Sequence, residues 1–170
     1  MSEYRRIRIA GATYFFTLVT YKRSPFFKSK ENIEILKRGI KHVQKKHHFK
    51  IDSICVLPDH IHLIMLLPEN DKDYSVKIRL IKQYATMHIN KQNLSKNLIW
   101  QPRFWEHTIR NDRDLELHRN YIHYNPVKHG YTMAPKDWEY SSFNSFVKKG
   151  FYEENWGLSE PKELINFDFE

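Results

Sequence analysis

The order of strand-like and helix-like segments along this 170-residue chain limits its fold more than any other feature. Residues 12–21 are β-branched and aromatic, which predicts a buried strand. Residues 31–48 place apolar side chains at helical spacing, and Ser29 is a plausible N-cap for this helix. Residues 50–56 and 60–67 predict two further strands, joined by a tight connection.

The second half of the chain adds two helices and one strand. Residues 75–91 predict a second helix with Ser75 as its candidate N-cap, and a fourth strand is expected within residues 99–110. A third helix is predicted over about residues 114–124, where Pro126 should stop it. The resulting order, β-α-β-β-α-β-α, indicates an α+β fold of the ferredoxin-like (split βαβ) type. Such a fold has an antiparallel sheet with helices on one face, here with an extra C-terminal helix.

Charge divides the chain into two parts. The formal net charge is +8, but residues 151–170 hold six acidic side chains against Lys162 alone, so that segment carries −5 and residues 1–150 carry +13. A body this basic favours a polyanionic partner. Nucleic acid is preferred over a membrane surface because no basic amphipathic helix with a bulky apolar face stands out. We therefore expect one domain over residues 1–150, followed by an acidic tail over residues 151–170.

Other features of the composition exclude several protein classes. Apolar residues make up 41% of the chain, which indicates a folded globular protein and not a disordered one. Cys55 is the sole cysteine, so neither an internal disulfide nor a cysteine-rich metal site is expected. No apolar run is long enough to cross a bilayer, and the basic residues 1–9 lead into no secretory signal. A cytoplasmic, nucleoid-associated location without a membrane partner is expected.

Two histidines share one face of a predicted strand. His60 and His62 are separated by one residue, and side chains at positions i and i+2 leave a strand on the same side. The alternate apolar residues Ile61, Leu63 and Met65 should face the core helices. Two imidazoles converging from a rigid strand make half of a site for a divalent metal. The alternative interpretation is a pair of ordinary polar residues on a solvated sheet face.

The third predicted helix carries a tyrosine and an asparagine at matching positions. Tyr121 and Asn125 are four residues apart, so they project from the same helix face. The amide oxygen of Asn125 suits a third ligand for a hard cation, and Tyr121 would lie beside that cation as a nucleophile. Tyr124 is a rival nucleophile, but only Tyr121 has a polar ligand one turn later. Alternatively, Tyr121 packs on the sheet and Asn125 caps the helix, while His123 should point to the surface.

Together these segments resemble one family. The residues from Val56 to Ile64, VLPDHIHLI, resemble the histidine-hydrophobic-histidine motif of the HUH single-tyrosine transposases. The segments RFWEH (103–107), YIHYNPVKHG (121–130) and WEYSS (138–142) resemble the branch called REP-associated tyrosine transposases, which is similar to IS200-like enzymes. The likeness spans about residues 13–146, and the acidic tail matches none of these motifs.

The resemblance implies a metal-dependent single-stranded DNA endonuclease and strand transferase that acts through a covalent 5′-phosphotyrosine. Its implied substrate is hairpin DNA like that of repetitive extragenic palindromes (REP). The resemblance also implies Mg²⁺ or Mn²⁺ held by His60, His62 and Asn125, with Tyr121 as the catalytic residue on the C-terminal helix. A free tyrosine has a pKa of about 10, so a nearby cation would be needed to favour its phenolate at neutral pH. A non-catalytic single-stranded nucleic-acid-binding module is the alternative, whereas a histidine-triad hydrolase lacks a third alternate histidine at Ile64.

DNA contacts are expected from basic residues spread along the chain. Arginine can clamp phosphates or recognise guanine edges. A monomer is preferred, with a dimer left open. The acidic tail suggests a hypothesis in which it competes with DNA for the basic groove and restrains cleavage. The predicted DNA-binding residues are Arg5, Arg6, Arg8, Lys77, Arg79, Lys82, Arg103, His107, Arg110 and Arg113.

Overall fold

A computed structural model describes residues 8–169 of the chain. Its centre is a four-stranded antiparallel sheet with the strand order β2-β3-β1-β4. The predicted α+β architecture and its element order are confirmed. The strands are β1 (Thr13–Val19), β2 (Lys50–Val56), β3 (His60–Leu66) and β4 (Trp105–Thr108).

Helices cover both faces of the sheet. Helices α1 (Lys30–Lys46) and α2 (Tyr74–Gln92) pack side by side over one face, where they bury the larger core. Helix α3 (Asp112–Lys128) lies against β2 and β3 on the other face, and a short helix α4 (Phe143–Lys148) follows. Among the described residues, no helix is long and apolar enough to cross a membrane.

The two-residue period of β3 divides its side chains between the two faces. Ile61, Leu63 and Met65 enter the core under α1 and α2, as predicted. His60 and His62 point to the α3 side and are 1% and 0% exposed. The interpretation of a solvated sheet face is therefore wrong, because α3 and the C-terminal segment cover it.

Two local expectations about helix ends are wrong. Ser75 does not cap α2, because the helix begins one residue earlier and Asp73 occupies the N-cap position. Pro126 does not stop α3, which continues to Lys128. A proline removes a single backbone donor from the helix, and Pro126 is buried where the helix continues past it. The actual stop is Gly130, whose φ of +70° suits the left-handed turn that ends helices.

Two helix starts follow from local sequence. The Ser29 hydroxyl accepts a hydrogen bond from the backbone N–H of Asn32 at 3.3 Å, so the predicted cap of α1 is confirmed. The side chain of Asn111 accepts from the N–H of Asp114 at 2.9 Å and begins α3. An N-cap of this kind satisfies a backbone donor that has no partner inside the helix. The N-cap thereby stabilises the first turn of helix α3.

Candidate active site

His60 lies between an acid and an amide. Its Nδ1 lies 2.7 Å from a carboxylate oxygen of Asp59, and its Nε2 lies 3.3 Å from Oδ1 of Asn125. Burial raises the pKa of Asp59, but the hydrogen bond from His60 and the pairing with Arg23 outweigh burial and lower it overall. Asp59 is therefore an ionised acceptor, which places the proton of neutral His60 on Nδ1 and a lone pair on Nε2.

His62 is oriented by Thr17 on the neighbouring strand. The two residues are paired across β1 and β3, and Nδ1 of His62 lies 3.0 Å from the Thr17 hydroxyl. That hydroxyl donates its one proton to the carbonyl of Phe169 at 3.1 Å. The Nδ1 of His62 must then be the donor to Thr17, so the lone pair of neutral His62 is on Nε2. Both histidines are thus in the same tautomer.

Tyr121 lies beside these histidines in the same chain. Its ring centroid is 5.2 Å from that of His62, and the residue is 2% exposed. Its hydroxyl donates to Asp168 at 3.4 Å and accepts from Nζ of Lys128 at 3.2 Å and from the backbone N–H of Phe169 at 3.3 Å. The predicted pair Tyr121 and Asn125 does share one face of α3.

Lys128 is a site residue that was not predicted from the sequence. Its ammonium group lies 4.9 Å from the Tyr121 ring centroid and pairs with Asp168 at 3.0 Å. Positions 121 and 128 are seven residues apart and share a helix face, but only if the helix passes through Pro126. Because the predicted helix ended at Pro126, Lys128 was not placed on the same helix face as Tyr121.

The site has the donors that a divalent cation requires. The ring centroids of His60 and His62 are 4.9 Å apart, and Nε2 of His60 lies 3.3 Å from Oδ1 of Asn125. In the tautomer that Asp59 favours, both of these atoms present lone pairs. Lone pairs at this separation repel each other, and a cation between them would remove the repulsion. His129 adds a further imidazole, 5.0 Å from the His60 ring. A donor set of imidazole nitrogens and an amide oxygen can hold a divalent cation.

A second cluster lies between β4 and α3. His107, Asp114 and His118 offer ligand atoms within 4.8 Å of one another. The Asp114 carboxylate already accepts from Nε2 of His107 at 2.8 Å, from the N–H of Arg110 at 2.9 Å, and pairs with Nδ1 of His118 at 3.1 Å. Burial raises the pKa of Asp114, but these donors lower it overall. The carboxylate thus joins the edge strand to the first turns of α3.

The C-terminal segment covers the tyrosine. Asp168 and Phe169 contact Tyr121 and Thr17 as described, and the Phe169 ring stacks on His118 at 4.4 Å. Leu164 is buried in the smaller core on the α3 side. Leu164 therefore anchors the segment after residue 150 on the body, and the last described residues of that segment lie on the candidate site.

The predicted DNA-binding residues occupy different environments. Arg5 and Arg6 lie outside the described residues. The expectation for Lys77 is wrong, because this side chain is 1% exposed and its ammonium group pairs with Asp71. Lys82 donates to the carbonyl of Gln101 at 2.6 Å. Exposed at the surface are Arg8, Arg79, Arg103, Arg110 and Arg113, whereas His107 is half-buried.

Two neighbours of Tyr121 on α3 lie away from the site. Tyr124 packs edge-on against Trp156, with ring centroids 6.4 Å apart, whereas Tyr121 packs against His62. Burial raises the pKa of Tyr124. The expectation that His123 lies at the surface is wrong, because it is 0% exposed. Its ring nitrogens lie 3.0 Å from the Tyr152 hydroxyl and 2.8 Å from the Ser142 hydroxyl. The aromatic residues after α3 enclose it.

Comparisons with known proteins agree on one family. A family model described as IS200-like transposase matches residues 9–125. The chain is 42% identical to the REP-associated tyrosine transposase of Escherichia coli strain K12, over 92% of this chain and 91% of that protein. A Haemophilus influenzae protein assigned as a REP-associated tyrosine transposase is 44% identical over 92% of this chain and 94% of its own length. A solved structure of a REP-associated tyrosine transposase bound to a REP hairpin superposes with a TM-score of 0.82 and is 39% identical, covering 96% of each chain.

Proposed function

The chain belongs to the IS200-like transposase family, and from that premise we propose that it is a metal-dependent single-stranded DNA endonuclease and strand transferase acting on hairpin DNA. The proposed intermediate is a covalent 5′-phosphotyrosine on Tyr121. The observation that carries the proposal is the proximity of the Tyr121 ring to His62, at 5.2 Å within one chain. A phenol beside a convergent set of metal donors is the geometry that this chemistry needs.

The bond changes follow from a single nucleophile. The Tyr121 oxygen attacks a phosphodiester phosphorus, and the bond from phosphorus to the 3′ oxygen breaks. The departing strand keeps a 3′ hydroxyl after taking up a proton, and the other strand stays attached to Tyr121 through its 5′ phosphate. Because this linkage retains the energy of a phosphodiester, a free 3′ hydroxyl can later attack it and rejoin strands.

Lys128 supplies charge at the attacking atom. Its Nζ lies 3.2 Å from the Tyr121 hydroxyl, so the ammonium group favours the phenolate over the phenol. The same group would be in reach of the non-bridging oxygens of a phosphate placed there. We assign Lys128 to positioning and charge stabilisation in the transfer step.

His60, His62 and Asn125 would hold Mg²⁺ or Mn²⁺. When bound, the cation polarises the phosphoryl oxygens and offsets the charge that develops on them. Asp59 and Thr17 keep the two imidazoles in the tautomer that turns Nε2 to the ligand. Nitrogen-rich donors favour Mn²⁺ over Mg²⁺.

Hairpin DNA is the proposed substrate because the relative in the solved complex is bound to a REP hairpin. Arg79 and Lys82 line a groove with Phe104 at the side of α2, and Arg8 donates to Ser75 at the same place. These cations suit the phosphates of a duplex stem. Such a substrate would place the protein at the nucleoid. All catalytic candidates come from one chain, so we propose that a monomer suffices.

The test uses the full chain with a hairpin oligonucleotide that carries a single-stranded flank. The strand is labelled on the 3′ side of the cut, and Mn²⁺ is present. A covalent protein–DNA adduct should form and survive denaturing electrophoresis. Tyr121→Phe should abolish the adduct, and chelation of the metal should abolish it in the unmodified chain. Tyr124→Phe is the matched control and should retain the adduct.

Two outcomes would reject the proposal. An adduct that persists in Tyr121→Phe would place the nucleophile elsewhere. Binding of the hairpin without any adduct, in either Mn²⁺ or Mg²⁺, would instead support the non-catalytic single-stranded nucleic-acid-binding module on a ferredoxin-like sheet.

A further inference from the structure

An aromatic slot opens beside Tyr121. We define it by its three walls, Phe15, Trp105 and His118, which come from β1, β4 and α3. Phe15 and His118 are buried, whereas Trp105 is 40% exposed and forms the outer wall. The ring of Phe169 fills this space, 4.4 Å from His118 in a stacked arrangement and 5.6 Å from both Phe15 and Trp105.

The residue before Phe169 brings an anion to the nucleophile. Asp168 accepts from the Tyr121 hydroxyl at 3.4 Å and pairs with Lys128 at 3.0 Å. A flat ring in the slot and an anion on the tyrosine thus lie one residue apart. A nucleotide has the same two features, a flat base and a phosphate. The last described residues therefore occupy the site much as one nucleotide of a single strand would.

We propose that the aromatic slot is a base-binding subsite, which takes the nucleobase next to the phosphate that Tyr121 attacks. This inference rests on the proposed function and deepens it by assigning a place to one base of the substrate. Phe169 and Asp168 occupy the base and phosphate positions when DNA is absent. Trp105 and His118 are then positioning residues, since they hold the base and do not touch the reacting bond.

The chemistry of the walls favours a base over a simple apolar group. The face of His118, on which the Phe169 ring is stacked, suits any nucleobase, because every base has a π face. The rings of Phe15 and Trp105 meet the Phe169 ring at 55° and 37° and close the slot at its sides. The Nε2 atom of His118 is buried and has no hydrogen-bond partner among residues 8–169. Because Nε2 lies in the plane of the imidazole, a base on the ring face leaves this atom to a neighbouring group of the bound strand or to water. The exposed outer wall, Trp105, leaves a path for a strand to enter.

The experiment locates the base by fluorescence. Chains carrying Tyr121→Phe and Phe169→Ala, which cannot cleave and have an empty slot, are mixed with hairpins in which 2-aminopurine replaces one flank nucleotide at a time. The emission of this base analogue falls when it stacks on an aromatic ring. One flank position should be quenched, and it should adjoin the cut that the adduct assay maps in the unmodified chain. Adding Trp105→Ala should weaken binding roughly 5- to 150-fold and remove the quenching.

Controls separate stacking from general damage. Trp105→Phe keeps a ring and should restore part of the quenching. Phe151→Ala removes an exposed aromatic outside the slot and should leave both binding and quenching unchanged. A flank without any position-specific quenching, or quenching that survives Trp105→Ala, would overturn the subsite. Adduct formation in the unmodified chain without quenching in the variant would reject the base-binding subsite alone. Quenching without any adduct would reject the catalytic proposal and leave a slot that binds a base.

Discussion

Lys128 places an ammonium group 3.2 Å from the Tyr121 hydroxyl, and removing that charge should slow the transfer step. Lys128→Met should reduce the rate of adduct formation about 10- to 100-fold. This loss is smaller than an unscreened Coulomb interaction would give, because the Lys128 side chain is 31% exposed and solvent screens its charge. The rate is measured by single-turnover electrophoresis in chains that already carry Asp168→Asn, since Lys128 also pairs with that carboxylate.

Lys136 offers a matched control for Lys128. It is equally exposed and pairs with Glu154 away from the tyrosine, so Lys136→Met should leave the rate unchanged. Lys128→Arg keeps a cation and should recover part of the lost rate. If Lys128→Met formed adduct as fast as the parent chain, the charge would have no part in the chemistry.

His123 should make the fold sensitive to acid. Burial lowers its pKa from 6.5 to about 3. The unfolded chain therefore takes up a proton below pH 6.5 that the folded chain refuses, and stability is lost as the pH falls from 6.5 towards 3. Between these pH values His123 lowers the free energy of unfolding by about 1.4 kcal/mol for each pH unit of acidification. His123→Gln should be less stable at pH 7.5 but should show a flatter dependence of the unfolding free energy on pH between 6.5 and 4.

Urea unfolding at several pH values measures this effect. His48→Gln, which replaces an exposed histidine, serves as the control and should keep the slope of the parent chain. Burial also lowers the pKa of His118, so the flattening in His123→Gln should be partial. An unchanged slope in His123→Gln would show that this imidazole is protonated in the folded state.

At the scale of the element, α3 depends on the cap at its first turn. The Asn111 side chain accepts from the N–H of Asp114, and the same helix carries Tyr121 and Asn125. Asn111→Ala should cost about 1 kcal/mol of unfolding free energy, measured by urea denaturation. Asn111→Asp keeps an acceptor at the N-cap and should retain most of the stability. Equal losses in the two variants would mean that the cap is not the cause.

The periodicity of single elements was sufficient to predict much of the site. The two-residue period of β3 puts His60 and His62 on one face, and the four-residue interval on α3 pairs Tyr121 with Asn125. The structure brings these four side chains together. The predicted end of α3 at Pro126 was wrong, because the effect of a proline on a helix depends on packing that the local sequence does not show.

Contacts between distant segments could not be predicted in the same way. Thr17 orients His62 only through the register of β1 on β3, and strand register is not encoded in either strand alone. The contact of Asp168 with Tyr121 joins residues 47 positions apart in the chain. Neither segment carries a local pattern that points to the other, so the acidic tail could be assigned a role only through its charge.

At the scale of the whole molecule, the charge of the acidic tail and its contacts with the site support one mechanism, in which the tail restrains DNA binding and cleavage. Residues 1–150 carry +13 and residues 151–170 carry −5. The tail places a carboxylate on Lys128 and a ring in the aromatic slot, both of which DNA would have to displace. Deleting all of residues 151–170 would also remove Leu164 from the smaller core. A sharper test therefore removes only the residues after Asn166.

This shortened chain should bind hairpin DNA more tightly and form adduct faster than the full chain. If the closed tail is favoured by about 1.4 kcal/mol, the apparent affinity should rise roughly tenfold, because only the open fraction binds. Affinity is measured by fluorescence anisotropy with a labelled hairpin that has a single-stranded flank.

The double variant Asp168→Asn with Phe169→Ala should give a similar gain in affinity without altering the chain length. Glu154→Gln, which changes the charge of the tail away from Tyr121, should give little gain. Unchanged or weaker binding in the shortened chain would mean that the tail only completes the fold on this face. A gain in Glu154→Gln equal to that of the double variant would mean that the tail acts through its net charge and not by occupying the site.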